Sequence, residues 1–170
     1  MLNTTRNTCN LFKLLLFITV FLFVNKAISQ EWSLEDKWTV FPVQPINFGV
    51  FYSVGAGTIT VDYQGNVHVT GGVVSLDRSA VTPAVFELKF PHGSTVTIDY
   101  CYSVMLDGSK GGKLALIIGP TEKGESGDEF IINTTSNTFT QFRVGATLVI
   151  PAYSVSSVYS GSFPMTFKRE

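Results

Sequence analysis

Few residues of this 170-residue chain have both the type and the spacing that chemistry requires. The two histidines, His68 and His92, fall in a predicted strand and a predicted turn, without the Ser/His/Asp order of a triad or metal-ligand spacing around them. Other carboxylates stand singly in the sequence, at Asp62, Asp77, Glu87, Asp99 and Asp107. Because acid–base catalysis needs groups poised at one substrate, the sequence predicts no catalytic, cofactor-binding or metal-binding residue, and we do not expect an enzyme.

One acidic segment, TEKGESGDE at residues 121–129, concentrates oxygen donors. Its carboxylates belong to Glu122, Glu125, Asp128 and Glu129. Calcium is coordinated by donors of this kind, but their spacing matches no calcium-binding loop. The segment is therefore predicted to be a solvated acidic loop, with calcium binding as the alternative.

The two cysteines bear on how the fold is stabilised. Cys9 lies in an N-terminal segment, residues 1–29, that is predicted to be removed as a signal peptide, as described below. Cys101 is therefore the only cysteine of the predicted mature chain. No intrachain disulfide is then expected, and stability has to come from the hydrophobic core. With no histidine nearby in sequence, the Cys101 thiol is predicted to be structural or incidental, and an intermolecular disulfide is the alternative.

The N-terminus has the pattern of a secretory signal peptide. Arg6 and Lys13 precede the uncharged apolar run LLLFITVFLFV at residues 14–24. This run is too short for a membrane span, which takes about 20 residues. It fits the apolar region of a signal for export, and an uncleaved amphipathic anchor is the alternative.

The residues after this run place the cleavage site. The small side chains of Ala27 and Ser29 predict cleavage between Ser29 and Gln30, which removes residues 1–29. The remaining 141 residues are enough for one domain and are predicted to contain no membrane span. They keep nine of the 12 basic residues against 13 acidic ones, hence a net charge of −4, so nucleic acid is not an expected partner.

Apolar residues alternate with polar ones along nearly the whole predicted mature chain. This period of two, with glycine-rich reversals every 8 to 12 residues, predicts an all-β protein with almost no helix. The predicted strands are 46–52, 58–63, 67–76, 84–90, 95–105, 113–118, 130–133, 139–144, 147–151 and 159–168. We expect an antiparallel immunoglobulin-like (Greek-key) β-sandwich or a related jelly roll, with a small barrel as the alternative.

The segment 46–76 gives the clearest hairpin signal. Ile59, Val61 and Tyr63 share one predicted face, and Gln64-Gly65-Asn66 supplies the small polar residues of a tight reversal. Its remaining glycines are interpreted as turn and bulge residues, because no helix follows them to form a phosphate cradle.

Residues 30–45 have a different composition and are predicted to be an extended arm leading into a single domain at residues 46–170. They contain Trp32 and Trp38, but Pro42 and Pro45 interrupt their alternation.

An ordered series of motifs carries a family resemblance from Ile46 to Phe167. The motifs are INFG, GTITVDYQGN, GGV, TPAVFELKFPHGSTVTI, VGATLVIPA and YSGSFPMTF. With them the chain resembles the bacterial secreted family catalogued as domain of unknown function 4402. The resemblance implies a β-sandwich similar to pilus subunits, export in a Gram-negative bacterium, and no catalytic residues.

This resemblance and the fold class together set the functional expectation. We expect a non-enzymatic, exported structural, surface or adhesion-type (fimbria-like) protein whose partners are other copies of itself or related exported subunits. The alternative is a carbohydrate-binding β-sandwich that contacts surface glycans through aromatic rings. The tyrosines available for this are Tyr52, Tyr63, Tyr100, Tyr102, Tyr153 and Tyr159, most of which fall on the predicted core face of their strands.

Overall fold

The alternating pattern folds into strands in the computed structural model, which describes residues 38–133 and 138–170. These residues contain 13 strands and one 3-10 helix, Arg78–Ala80. The strands are β1 Thr39–Gln44, β2 Asn47–Phe48, β3 Phe51–Val61, β4 Val67–Ser75, β5 Val81–Thr82, β6 Ala84–Lys89, β7 Thr95–Tyr100, β8 Ser103–Gly108, β9 Lys113–Thr121, β10 Glu129–Ile131, β11 Thr140–Ile150, β12 Tyr159–Ser160 and β13 Met165–Arg169.

The strands pair antiparallel in one large sheet and two smaller ones. The large sheet has the order β1-β6-β11-β9-β8-β12, and β3 also pairs with β11 and carries β4 on its other side. The long strand β11 is central, because its first half pairs with β6, its second half pairs with β3, and β9 pairs with it as well. A three-stranded sheet has the order β10-β7-β13, and β2 pairs with β5.

Aromatic side chains join the two larger sheets across the core. Phe142 of β11 is fully buried, and its ring lies 5.3 Å from that of Phe167 on β13 and 6.0 Å from that of Phe130 on β10. Val96 and Ile98, at alternate positions of β7, are also fully buried. The predicted all-β antiparallel sandwich is confirmed.

Two predicted strands are wrong because the chain changes sheet within them. The predicted strand 95–105 leaves the three-stranded sheet after β7, and the chain enters the large sheet at β8. The predicted strand 159–168 divides in the same way into β12 and β13, with Pro164 directly before β13. Both sheets face one core, so an unbroken apolar alternation does not reveal the crossing.

Other predicted strands begin or end at the wrong residue. Predicted strands 139–144 and 147–151 form one strand, β11, whose pairing with β9 shifts register between Val144 and Ala146. Predicted strand 58–63 covers only the end of β3, which begins at Phe51, continues through the glycines and ends at Val61. Predicted strand 46–52 divides into β2 and the first residues of β3.

The predicted arm also needs correction in its described part. Residues 39–44 form β1, which pairs antiparallel with β6, so the large sheet begins before the predicted domain start at residue 46. Pro42 stands in this ladder opposite Phe86, and the register shifts between Pro42 and Gln44. Proline is tolerated there because β1 is an edge strand. Trp38 stacks on Phe90 with ring centroids 5.3 Å apart.

The predicted signal peptide 1–29, its cleavage after Ser29 and the start of the predicted arm, 30–37, lie outside the described residues. Among the residues that are described, no helix is long and apolar enough to cross a membrane.

Candidate functional site

The residues first considered for chemistry lie apart in the fold. His68 is exposed on β4, and His92 is exposed in the turn between β6 and β7. Within residues 38–133 and 138–170, no group of three or more histidine, cysteine, aspartate or glutamate side chains is placed to hold a metal ion.

The single carboxylates organise local structure. Asp62 accepts hydrogen bonds from the backbone N–H groups of Gln64 and Asn66 at 2.9 and 2.8 Å, and so closes the β3–β4 turn. Partial burial by itself would raise the pKa of Asp62, but the hydrogen bonds from Asn66, Gln64 and Gly65 together lower it below its ordinary value. Asp77 caps the 3-10 helix, and the hydrogen bond from the Ser79 hydroxyl is the main cause of its lowered pKa.

Two further carboxylates form ion pairs between neighbouring strands. Asp99 of β7 pairs with Lys168 of β13, and this hydrogen bond raises the pKa of the lysine. Asp107 of β8 pairs with Lys113 of β9 at 2.6 Å. These contacts are exposed, so they contribute little to stability and indicate no catalytic pair.

The acidic loop between β9 and β10 is held by its own hydrogen bonds. The Asp128 carboxylate accepts from the Glu125 N–H at 2.7 Å, and the Thr121 hydroxyl donates to the Gly124 carbonyl. Ser126 accepts from the Tyr100 N–H at 2.9 Å and donates to the Tyr100 carbonyl, which ties the loop to β7. Burial first, and then the nearby Glu125 and Asp128 charges, raise the pKa of Tyr100.

Cys101 lies at the crossing between β7 and β8, where it is exposed as a free thiol. Its place between strands differs from its position inside the predicted strand 95–105. The structural or incidental thiol stays the prediction and the intermolecular disulfide its alternative, for which the exposed thiol is accessible.

The tyrosines divide between core and surface, so the prediction that most of them serve the core is only partly right. Three are half-buried: Tyr63, Tyr100 and Tyr159. Three are exposed: Tyr52, Tyr102 and Tyr153. Tyr153 is fully exposed and has a φ of 61°, a left-handed backbone that is unfavourable for a bulky residue.

The largest departure from the sequence prediction is an exposed apolar surface on the β3–β4 hairpin. We call it the apolar ribbon face. Its residues are Val50, Tyr52, Val54, Val74 and Leu76. Tyr52 lies directly across from Val74, and the Leu76 N–H donates to the Val50 carbonyl at 2.8 Å, so the side chains adjoin along one side of two paired strands. Val54 is 81% exposed.

Glycines bring the two strands of this ribbon close together. Between Ser53 and Gly57 the register shifts, so that extra residues of β3 bulge opposite Gly72 of β4. A Cβ on Gly72 would lie 2.7 Å from the Gly55 nitrogen, which shows that these backbones pack without room for a side chain. The interpretation of these glycines as bulge residues is confirmed.

The apolar ribbon face was not predicted from the sequence, because only the alternating residues on one face of each strand were considered. The signal was present in the neighbouring apolar pairs Phe51-Tyr52 and Val73-Val74. Consecutive apolar residues in a strand place apolar side chains on both faces, and only one of those faces packs on the core here.

Comparison with known proteins gives one match. A family model described as Domain of unknown function (DUF4402) matches residues 39–168, from the first residue of β1 into β13. No curated protein and no solved structure matches the chain.

Proposed function

Because the chain belongs to the family described as Domain of unknown function (DUF4402), which names no activity, we propose its function from the surface that the fold presents. The protein is a non-enzymatic, exported structural, surface or adhesion-type (fimbria-like) component. It acts by contact with other proteins outside the cytoplasm of a Gram-negative bacterium.

The observation that carries this proposal is the apolar ribbon face. Its five side chains adjoin on one side of the β3–β4 hairpin, and their exposed fractions together equal about three whole side chains. Full burial of one such side chain contributes roughly 1.5–3 kcal/mol, so covering this face releases roughly 4–9 kcal/mol of hydrophobic free energy. Soluble proteins keep contiguous apolar patches of this kind mainly where a partner binds.

The charged groups support a non-enzymatic role. The carboxylates described above cap turns, pair with lysines or hold a loop, and the two histidines stand on separate elements. The sequence supports export through the charge, apolar run and small residues of its N-terminus.

Fractionation combined with site-directed crosslinking tests the proposal. The full chain is expressed in its own bacterium with a photo-crosslinking amino acid at Val54, or as a matched control at Lys110, which is exposed in the β8–β9 turn. We expect the protein in the periplasmic, surface or extracellular fraction, with crosslinks to cell-envelope proteins from position 54 and not from position 110. Recovery from the cytoplasm, or equal crosslinking from both positions, contradicts the proposal.

Glycan binding is a second candidate, favoured by one feature. Tyr153 presents its whole ring to solvent from a strained backbone, and such strain persists where a residue has a role beyond packing. Aromatic rings are the usual platform for sugars in β-sandwich modules. If this candidate is right, the exported protein binds an immobilised glycan, and Tyr153→Ala weakens that binding at least about tenfold while Phe139→Ala, another exposed aromatic, leaves it unchanged.

A further inference from the structure

The edges of the sheets differ in how they are protected from pairing with another chain. Strand β1 contains Pro42 and a register shift, β13 carries Lys168 and Arg169, and the short edges β10 and β12 have three and two residues. Proline, bulges, lysines and short length all discourage strand addition. The strands of the two-stranded sheet, β2 and β5, are also only two residues long, so among the described strands the edge of β4 remains to be explained.

Strand β4 has none of these protections. It is nine residues long, VHVTGGVVS, and contains no proline, aspartate, glutamate, lysine or arginine. Among the described strands it pairs with β3 alone. The extra residues of the bulge lie on β3, so β4 itself has no inserted residue.

Hydrogen bonds at both ends of β4 show which main-chain groups face outward. The Leu76 N–H donates to Val50, and the Asn66 carbonyl accepts from the Asp62 N–H, so even-numbered residues direct their main-chain groups toward β3. By alternation, the odd-numbered residues direct theirs away from β3; they include Val67, Val69 and Val73. A second strand therefore finds outward donors and acceptors on both sides of Gly71, whose φ of 68° departs from the extended backbone of the rest of the strand.

The apolar residues of the core also extend to the edge strand β4. Ile59 and Val61 of β3 are fully buried, whereas Val69 and Val67, which lie directly across from them on β4, are only partly buried. All four are apolar and face the core. A strand added beside β4 would complete the cover of Val67 and Val69.

We propose that the protein forms a two-fold symmetric dimer in which the β4 strands of two copies pair antiparallel and join their large sheets into one. The dimer would give the proposed structural role a partner, but it is inferred only from the edge of β4 and does not depend on the proposed function. A second copy is a suitable partner because, in a two-fold dimer, the same surface of each copy forms the contact, and that surface therefore has to be complementary to itself. Self-pairing of β4 brings no lysine, arginine or carboxylate side chains together, whereas self-pairing of β13 would oppose lysine and arginine to their own copies.

The size of this contact sets its strength. Two nine-residue strands are about 30 Å long and the sheet edge is about 10 Å thick, so roughly 300 Å² is covered on each copy. Stable interfaces cover about 800 Å² per partner, and smaller ones belong to reversible complexes. We therefore expect a dimer that dissociates on dilution, with a dissociation constant of roughly 10–100 µM.

Matched lysine pairs on the two strands of the hairpin test the proposal. The variant Thr70→Lys/Val74→Lys places two charges on β4, and the control Thr58→Lys/Tyr52→Lys places the same charges on the residues directly across from them on β3. Both variants lose the Thr58–Thr70 hydroxyl hydrogen bond of 2.7 Å. The full chain is expressed with export, and the exported protein is studied by analytical ultracentrifugation.

The parent and the control should dimerise with similar affinity, and the β4 variant should dissociate at least about tenfold more readily. A parent that stays monomeric up to about 500 µM overturns the dimer and leaves the proposed function standing, since fractionation tests that separately. Equal weakening of both variants places the interface on the sheet face and overturns edge pairing.

Hydrogen exchange on the parent protein gives a readout that does not depend on variants folding. The amides of Val67, Val69 and Val73 should exchange more slowly as the protein concentration rises through the dissociation constant. Concentration-independent exchange at these three amides, in a protein that does dimerise, also overturns pairing through β4.

Discussion

The close approach of β3 and β4 predicts a specific cost for replacing Gly71 with alanine. Gly71 lies opposite Gly57 in the hairpin and has a φ of 68°. A Cβ on Gly71 would collide with the Ala56 carbonyl oxygen and lie 2.7 Å from the Gly57 Cα. Both neighbours are main-chain atoms, so the clash cannot be relieved by a side-chain rotation and the ribbon itself has to shift.

The expected loss of stability has two parts. A left-handed backbone costs an alanine about 1–2 kcal/mol relative to glycine, and forcing extra volume into a packed contact costs about 1–3 kcal/mol. Gly71→Ala should therefore lower the free energy of unfolding by about 2–5 kcal/mol. Gly65→Ala is the matched control, because Gly65 also has a positive φ, 91°, but has nothing within 4 Å of a built Cβ.

Urea unfolding of the two exported variants measures the difference. Gly65→Ala should lose only the backbone part, about 1–2 kcal/mol, so Gly71→Ala should be the less stable of the two by about 1–3 kcal/mol. Because both variants change glycine to alanine, the effect on the unfolded chain cancels between them. Gly71→Ala should also reduce crosslinking from position 54, since the bulge positions Val54. Equal losses for the two variants would refute the argument that the strands touch at Gly71.

Three further predictions concern the core, a turn and the exposed tyrosine. Phe142→Ala, which removes a buried ring that contacts Phe86, Phe130 and Phe167, should cost about 4 kcal/mol in urea unfolding, against about 1 kcal/mol for the half-exposed Phe139. Asp62→Asn should lower the free energy of unfolding near neutral pH. Because the pKa of Asp62 in the folded protein lies below the ordinary 3.8, the difference in free energy of unfolding between parent and variant should shrink as acid protonates the parent's carboxylate. A difference that does not change with pH would contradict this. Tyr153→Gly should raise the free energy of unfolding by about 0.5–1 kcal/mol, because it relieves the left-handed backbone of a fully exposed residue; a lower free energy of unfolding than that of the parent would contradict this reasoning.

Local patterns gave a correct account of the fold class and of single turns. The alternation correctly placed Ile59 and Val61 on one face, which is fully buried, whereas Tyr63, predicted on the same face, lies in the turn and is half-buried. Alternation works because a strand turns successive side chains to opposite faces, whatever strand lies beside it. The reversal at Gln64-Gly65-Asn66 was equally local, since Asp62 closes it by hydrogen bonds to Gln64 and Asn66.

The apolar ribbon face could not be predicted from alternation, because alternation does not show which face of a strand is covered by another layer. Val74 is as apolar as the core residue Val73 beside it, but Val74 and Tyr52 are exposed because no other layer of the described fold covers that side of the ribbon. The predicted strand 95–105 was wrong for a related reason. Apolar residues at alternate positions pack on the core whether their strand belongs to the large sheet or to the three-stranded sheet, so the alternation does not show that the chain changes sheet.

The sequence by itself determined that this chain forms antiparallel strands around one apolar core, because side-chain alternation and glycine turns are properties of neighbouring residues. Only the tertiary structure decided which strands end a sheet and which apolar face stays open. Those outcomes depend on pairings between residues far apart in the chain, such as Ile59 with Leu148 and Phe86 with Phe142. They leave β4 as the unprotected edge and the apolar ribbon face uncovered, and these two features carry the functional proposals.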